Sequence, residues 1–281
     1  MDNAAFVKRF DIIIDDALFW LGDHAAFLFD AIRYGLEGFY DLILTAVTWP
    51  PFWAVSAIAG LLGWRVVGPR FGLLAALGLL FCQAMGMWSE TMDTFALVVS
   101  ATAIALIVAL PIGVVAGYFT RLDRLLEPAL DLIQTMPPYI YLLPAIALLG
   151  YGSATALAAT IIVAVPPVIR LTSLGIRRTP TEFIELGQAS GINGWQMFTK
   201  IRLPFAMPSI MAGINQGLMM AFGMVVIAGI VGSGGLGQTI YEAIRTLDIA
   251  RSINAAIAIV ILCMVIDRIT QGVSVTHQGA R

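Results

Sequence analysis

The residues of this chain that are best suited to chemistry lie in one polar stretch, residues 185–204, which reads ELGQASGINGWQMFTKIRLP. It places a carboxylate, Glu185, near two cations, Lys200 and Arg202, in a protein that is 59% hydrophobic and only 12% charged. Charged groups need water or a binding partner, so the stretch is expected to lie outside the apolar parts of the chain. What it binds depends on the elements that hold it.

Catalytic and metal chemistry find little support elsewhere. His24 and His277 fall outside the apolar runs with no second histidine or cysteine nearby, so we expect no metal site. Cys82 and Cys263 lie within apolar runs, where they are expected to face lipid or the protein core. A membrane enzyme would need paired catalytic groups at membrane depth or a G-x-S-x-G elbow, and the sequence has neither. We therefore predict no catalytic residue.

Two nucleotide-binding patterns can also be set aside. Gly232, Gly234 and Gly237 satisfy G-x-G-x-x-G, but no strand precedes them, so they are expected to allow a tight turn and close helix packing. The only lysines are Lys8 and Lys200, and neither follows a glycine, as a Walker A lysine must. We expect no cofactor in this chain; if ATP and Mg²⁺ are used, a partner subunit binds them. The net charge of −2 and the scattered basic residues argue against nucleic acid as a partner.

The elements that must position the polar stretch are membrane helices. The 281-residue chain has a mean hydropathy of +0.88, and a soluble domain of this length would need more charge to cover its surface. A membrane-crossing helix takes about 20 apolar residues. The sequence therefore predicts an all-α, polytopic transmembrane helical bundle with about seven spans, at residues 42–64, 70–88, 93–119, 132–150, 154–176, 205–231 and 252–271.

We divide the chain into three parts. Residues 1–41 form an amphipathic N-terminal segment, which is not a signal peptide because acidic residues interrupt it and no small-residue cleavage site follows. Residues 42–88 hold two additional transmembrane helices. Residues 89–281 form the core, with a loop at 179–204.

Basic residues cluster at alternate connections, which predicts that these connections are cytoplasmic. The basic residues at the first, third and fifth connections are Arg65, Arg70, Arg121, Arg124, Arg177, Arg178, Lys200 and Arg202. The second connection holds Glu90 and no base, and the fourth is the GYGS turn at 150–153. The polar stretch then faces the cytoplasm, while residues 1–41 and the 232–251 connection lie outside.

The cytoplasmic loop reads as a helix-turn-helix. Thr179 and Glu182 are expected to form a capping box around Pro180 at the first helical position. Gly191 is a suitable left-handed terminator, and Asn193 can cap a second short helix. The apolar residues of the loop need burial, either against the membrane domain and lipid or against a partner protein: Phe183, Ile184, Trp195 and Phe198.

The spacing of Glu185, Gly191 and Ile201-Arg202-Leu203-Pro204 resembles the E-A-A, G, I-x-L-P signature of permease subunits of binding-protein-dependent ABC importers. The resemblance implies a type I importer permease fold in which this loop is a coupling helix, seated in a groove of the ATP-hydrolysing subunit. The coupling residues it implies are Glu182, Glu185, Gly191, Trp195, Phe198, Ile201, Leu203 and Pro204. The chain departs from the signature in having Leu186-Gly187 where the family favours Ala-Ala.

Three further stretches resemble the glycine betaine, proline betaine and choline branch of these permeases: LDLIQTMPPYIYLLPAIALLG at 130–150, MVVIAGIVGSGGLGQTIY at 224–241 and DRITQG at 267–272. The resemblance implies a non-catalytic homodimeric permease in the bacterial cytoplasmic (inner) membrane, served by two ATPase subunits and an external substrate-binding protein. Import of an amino acid such as proline or histidine is the alternative. A secondary transporter is disfavoured because only Asp131 and Asp267 approach the predicted spans.

Polar and aromatic residues within the spans are candidates for the translocation pathway, because such groups usually face a bundle interior or cavity. A quaternary amine would bind aromatic faces without needing a carboxylate. The alternative role is hydrogen bonding between helices. The candidates are Gln134, Tyr139, Tyr141, Asn215 and Gln216.

Overall fold

The computed structural model describes residues 12, 13, 16 and 19–279, with side chains described as far as Val273. Every regular element in this part of the chain is helical, as predicted. The helices are α1 (Ala26–Thr48), α2 (Phe52–Val66), α3 (Pro69–Ala84), α4 (Trp88–Tyr118), α5 (Thr120–Thr135), α6 (Tyr139–Leu149), α7 (Ser153–Arg177), α8 (Thr181–Ala189), α9 (Gly194–Gln196), α10 (Leu203–Ala228), α11 (Gly235–Thr246) and α12 (Ile249–Gly279). A π-helical segment, Met197–Arg202, joins α9 to α10, and a 3-10 turn, Gly229–Val231, follows α10.

The described residues include four helices that are long and apolar enough to cross a membrane: Trp88–Tyr118, Ser153–Arg177, the continuous stretch Gly194–Val231, and Ile249–Val273. Two bent pairs, α1 with α2 and α5 with α6, bring the number to six if each pair is one broken span. The apolar helix α3 is shorter, at 16 residues. The chain is a multi-pass helical membrane protein.

The predicted span at 42–64 is not one helix. α1 and α2 meet at an angle of 94° around Trp49-Pro50-Pro51, because the two prolines lack backbone N–H groups and cannot continue a helix from α1. α1 begins at Ala26, so the predicted boundary between residues 41 and 42 falls inside it. Its Tyr40 is buried in the same apolar core as Leu97 and Leu157. Residues 1–11 of the predicted N-terminal segment lie outside the described residues.

The predicted span at 132–150 is also interrupted. α5 and α6 meet at 98°, with Pro137 and Pro138 at the bend. Consecutive prolines remove two N–H donors and disfavour helical geometry in the preceding residue, so the helix ends at Thr135. The bend gives α5 and α6 different directions, and Gln134 and Tyr139 lie on either side of it.

The centre of the bundle is α7, which packs between α4 and α10 through small residues. A Cβ atom added to Gly117 of α4 would lie 2.6 Å from the Ile176 Cβ atom of α7. A Cβ atom added to Gly175 of α7 would lie 3.0 Å from the Ala206 carbonyl oxygen of α10. Close approach of this kind is how membrane helices associate without a hydrophobic driving force between them. It fixes the end of α7, where the 179–204 loop begins.

We expect Gly117→Ala to lower the free energy of unfolding by about 1–3 kcal/mol, because the new methyl group overlaps Ile176 and the 3.1 Å-distant Ser173 carbonyl oxygen. The matched control is Gly35→Ala in α1, where no atom lies within 4 Å of the added Cβ. Thermal unfolding of the purified variants in detergent measures both. Equal midpoints would show that α4 and α7 do not pack this closely.

Candidate functional site

The first helix of the 179–204 loop begins differently from the prediction. α8 starts after Pro180 with no side-chain cap, so the predicted capping box of Thr179 and Glu182 is wrong. Thr179 is buried, and its hydroxyl donates instead to the Ile176 carbonyl oxygen at 3.0 Å. That carbonyl belongs to the last turn of α7, which would otherwise leave it unpaired.

The turn between the two helices matches the prediction. Gly191 has φ +70° and donates its N–H to the Gln188 carbonyl oxygen at 3.0 Å, which ends α8 in the left-handed conformation that glycine favours. Asn193 then caps the second helix. Its Oδ1 accepts from the Gln196 backbone N–H at 2.8 Å, and the Gln196 side chain accepts from the Asn193 N–H at 3.1 Å.

The second helix does not stop at the end of the loop. It continues from Gly194 through the π-helical segment into α10, so the loop and a membrane-spanning helix form one element. Pro204 lies in the first turn of α10 and lacks the N–H that would bond to the Lys200 carbonyl. A π-helical widening at 197–202 accommodates this missing bond and the proline ring.

Gly187 has a structural role at the position where the signature favours alanine. It is buried between the two arms of the loop, and an added Cβ would lie within 2.9 Å of the ends of Ile192, Met197 and Ile201. The absence of a side chain therefore lets α8 lie directly on the π-helical segment. This close packing makes the loop a compact unit.

The apolar side chains of the loop divide between two faces. Phe198 is partly buried against Ile176, Ala206 and Ile210 of the membrane bundle. The ring of Phe183 lies 4.7 Å from the ring of Phe205 in α10. These contacts attach the loop to the membrane helices. For these two side chains, packing against the membrane domain is therefore observed.

The other face of the loop is exposed. Trp195 in α9 is 71% exposed and Leu186 in α8 is 62% exposed. Glu182 and Glu185, within one turn of Leu186 in α8, are exposed as well. Among the predicted coupling residues, Glu182, Glu185, Gly191 and Trp195 are exposed, whereas Phe198, Ile201, Leu203 and Pro204 are partly buried and hold the loop together. Leu186 was not among the predicted residues, although a leucine at a position where the signature favours alanine was visible in the sequence.

Charged pairs join the end of α7 to α5. Asp123 of α5 accepts an ion pair from Arg177 at 2.8 Å and a hydrogen bond from the Ser173 hydroxyl at 2.6 Å. Two turns along α5, Asp131 pairs with Arg170. The loop, α7 and α5 are thus connected in series, and α5 leads directly to the bend at Pro137.

The candidate pathway residues occupy two places. Gln134 and Tyr139 are exposed at the α5–α6 bend, and the Tyr141 hydroxyl donates to the Ile133 carbonyl oxygen across it. This hydrogen bond joins α5 to α6, and a pathway role for Tyr141 stays a prediction. Gln216 is exposed on α10, and the neighbouring Asn215 has a buried Oδ1 without a hydrogen-bond partner among the described residues.

Residues 109–274 match the family described as the binding-protein-dependent transport system inner membrane component. The chain belongs to this family. The permease is 38% identical over 279 residues to the glycine betaine transport system permease protein OpuAB of Bacillus subtilis (strain 168), a match that covers 99% of both chains. It is 37% identical over 267 residues to the glycine betaine/proline betaine transport system permease protein ProW of Escherichia coli (strain K12), covering 94% of the permease and 74% of that protein.

The fold of the permease is that of a solved importer. A chain of the MetNI methionine ABC transporter, determined in inward-facing conformations, superposes with a TM-score of 0.60 at 22% sequence identity. The match covers 66% of the permease and 93% of that chain. The permease therefore has the type I ABC importer fold, which confirms the predicted fold class.

We expect Gly191→Ala to destabilise the turn of the loop by about 1–2 kcal/mol, because a side chain at positive φ strains the backbone. No atom lies within 4 Å of the added Cβ, so the strain does not come from a steric clash with neighbouring residues. Gly194→Ala is the control, since the space there is equally open and φ is not positive. Limited proteolysis of the loop compares the two. Equal cleavage rates would contradict a conformational requirement at residue 191.

Proposed function

We propose that this permease forms the translocation pathway of an ATP-driven importer of quaternary amines such as glycine betaine or proline betaine. The match along nearly the whole chain to a glycine betaine transport system permease carries this proposal. In a bacterial cytoplasmic membrane, two copies of the permease would assemble with two ATPase subunits and an external substrate-binding protein. ATP and Mg²⁺ would bind to the ATPase, and the permease itself is not an enzyme.

The exposed face of the 179–204 loop is the proposed ATPase-docking surface. Its apolar part is Trp195 and Leu186, and its acidic part is Glu182 and Glu185. Exposed aromatic and aliphatic side chains surrounded by charges are typical of an interface anchor and its rim. A basic, partly apolar groove is the complementary partner.

Movement of the ATPase would reach the pathway through two rigid connections. The loop is continuous with α10 at one end, through the π-helical segment, and with α7 at the other, where Arg177 contacts Asp123 of α5. Because α5 ends at the bend beside Tyr139, displacement of the loop would shift both candidate pathway regions together. Outside, the 232–251 connection and the GYGS turn would receive the binding protein; the Gly152 N–H donates to the Val231 carbonyl oxygen at 3.0 Å and joins them.

Uptake by the reconstituted complex in liposomes, with its binding protein, tests the substrate. Glycine betaine or proline betaine is expected to stimulate both ATP hydrolysis and uptake, since a quaternary ammonium can bind to aromatic faces such as that of Tyr139. Stimulation by proline or histidine alone would support the amino-acid alternative. Uptake that continues without the ATPase would contradict the importer mechanism and favour a secondary transporter.

We expect Trp195→Ala to weaken ATPase binding about tenfold or more, because an exposed aromatic anchor at an interface centre contributes about 2 kcal/mol. Leu186→Asp should weaken it similarly by adding a charge to the apolar part. The control is Leu125→Ala, an equally exposed leucine of α5 outside the loop. Affinity capture of the ATPase by the purified permease measures all three, and unchanged capture by both loop variants would contradict the docking surface.

A further inference from the structure

A large apolar cavity has none of the loop residues and none of the candidate pathway residues in its lining. It has a volume of about 510 Å³ and is lined by side chains of α1, α2, α3, α4, α10 and α12. α1 and α2 meet at 94°, and both helices line the cavity together with α4: the lining includes Val47 of α1, Ala59 of α2, and Val99 and Ala103 of α4. Nearly all the lining side chains are apolar.

The shape of the cavity limits what can fill it. Along α4 it extends from Met92 to Leu106, which corresponds to about 21 Å at about 1.5 Å per residue. Dividing about 510 Å³ by this length gives a mean cross-section of about 24 Å². A single file of methylene groups, which pack at carbon–carbon distances of about 4 Å, fits in this space.

The lining also excludes water as the main occupant. A buried water needs two to four polar partners, and the only hydroxyl-bearing side chains in the lining are those of Thr102 and Thr270. An apolar cavity beside lipid is instead filled by hydrocarbon, which restores the dispersion contacts that an empty space would lose. The cavity runs along the membrane-spanning helix α4, as does a lipid tail.

One end of the cavity carries a suitable charge for a lipid headgroup. Arg65 lies one turn beyond the lining residue Leu62 on the same face of α2. It is exposed and forms no ion pair within the described part of the chain. Next to it, Val66 packs closely on Gly272 of α12. The cavity thus combines an apolar lining with the exposed guanidinium of Arg65 at its predicted cytoplasmic end.

We propose that this cavity holds one acyl chain of a phospholipid whose phosphate group contacts Arg65. This site is separate from the proposed transport function and does not depend on it. One lipid would be bound to each permease chain as a structural component, filling the space beside the α1–α2 bend.

Native mass spectrometry of the full-length permease after detergent washing tests the proposal. One phospholipid per wild-type chain should remain bound. Ala59→Leu and Ala103→Leu, which add bulk to the cavity from α2 and from α4, should each lower the bound fraction about tenfold. Arg65→Gln should lower it up to about fivefold, the range of an exposed ion pair. The control Ala57→Leu changes an exposed residue of α2 outside the lining and should retain the lipid.

Three results would overturn the proposal. One is the absence of a stoichiometric phospholipid in the wild type. Another is equal retention by Ala57→Leu, Ala59→Leu and Ala103→Leu. The third is efficient disulfide formation between Ala59→Cys residues of two permease copies, which would show that a second copy covers the cavity.

Discussion

The close packing of α7 between α4 and α10 is the constraint on which the rest of the structure depends. Glycines at the two contacts remove the side chains that would hold the helices apart, so backbone carbonyls and neighbouring side chains meet directly. Because dispersion forces fall steeply with distance, such contacts give membrane helices a defined position that apolar surface alone cannot provide. The ends of α7 and α10 are thereby fixed relative to each other, and the 179–204 loop spans the gap between them.

This arrangement explains how one short polar stretch can be attached to the membrane helices and still expose side chains to a partner protein. Phe183 and Phe198 pack on the membrane helices, while Trp195, Leu186 and two carboxylates remain exposed. The turn at Gly191 and the cap at Asn193 hold the two arms, and Gly187 lets them touch. A partner that displaces this compact loop would move α10 directly and α7 through the chain connection at Thr179.

Much of this architecture could be predicted from the sequence, because hydropathy and glycine turns are local properties. The membrane helices, the left-handed end of α8 at Gly191 and the cap at Asn193 follow from residue types and spacing. Two features did not follow. The proline pairs at 50–51 and 137–138 bend segments that read as single spans. Two prolines lower the mean hydropathy of a segment of about 20 residues only slightly, so hydropathy alone does not reveal that they interrupt the helix. From the sequence, the Thr179 hydroxyl could accept from a backbone N–H of α8 or donate to a carbonyl oxygen of α7. The structure shows that it donates to the Ile176 carbonyl oxygen at the buried end of α7.

The most direct test of the central claim is the reactivity of a cysteine introduced at Leu186, in a chain with Cys82→Ser and Cys263→Ser, toward a bulky thiol reagent. If the exposed face of the loop is where the ATPase docks, adding the ATPase subunit should protect this cysteine while a cysteine at Leu125 stays reactive. Equal labelling at Leu186 with and without the ATPase would show that the partner binds elsewhere and would contradict the account.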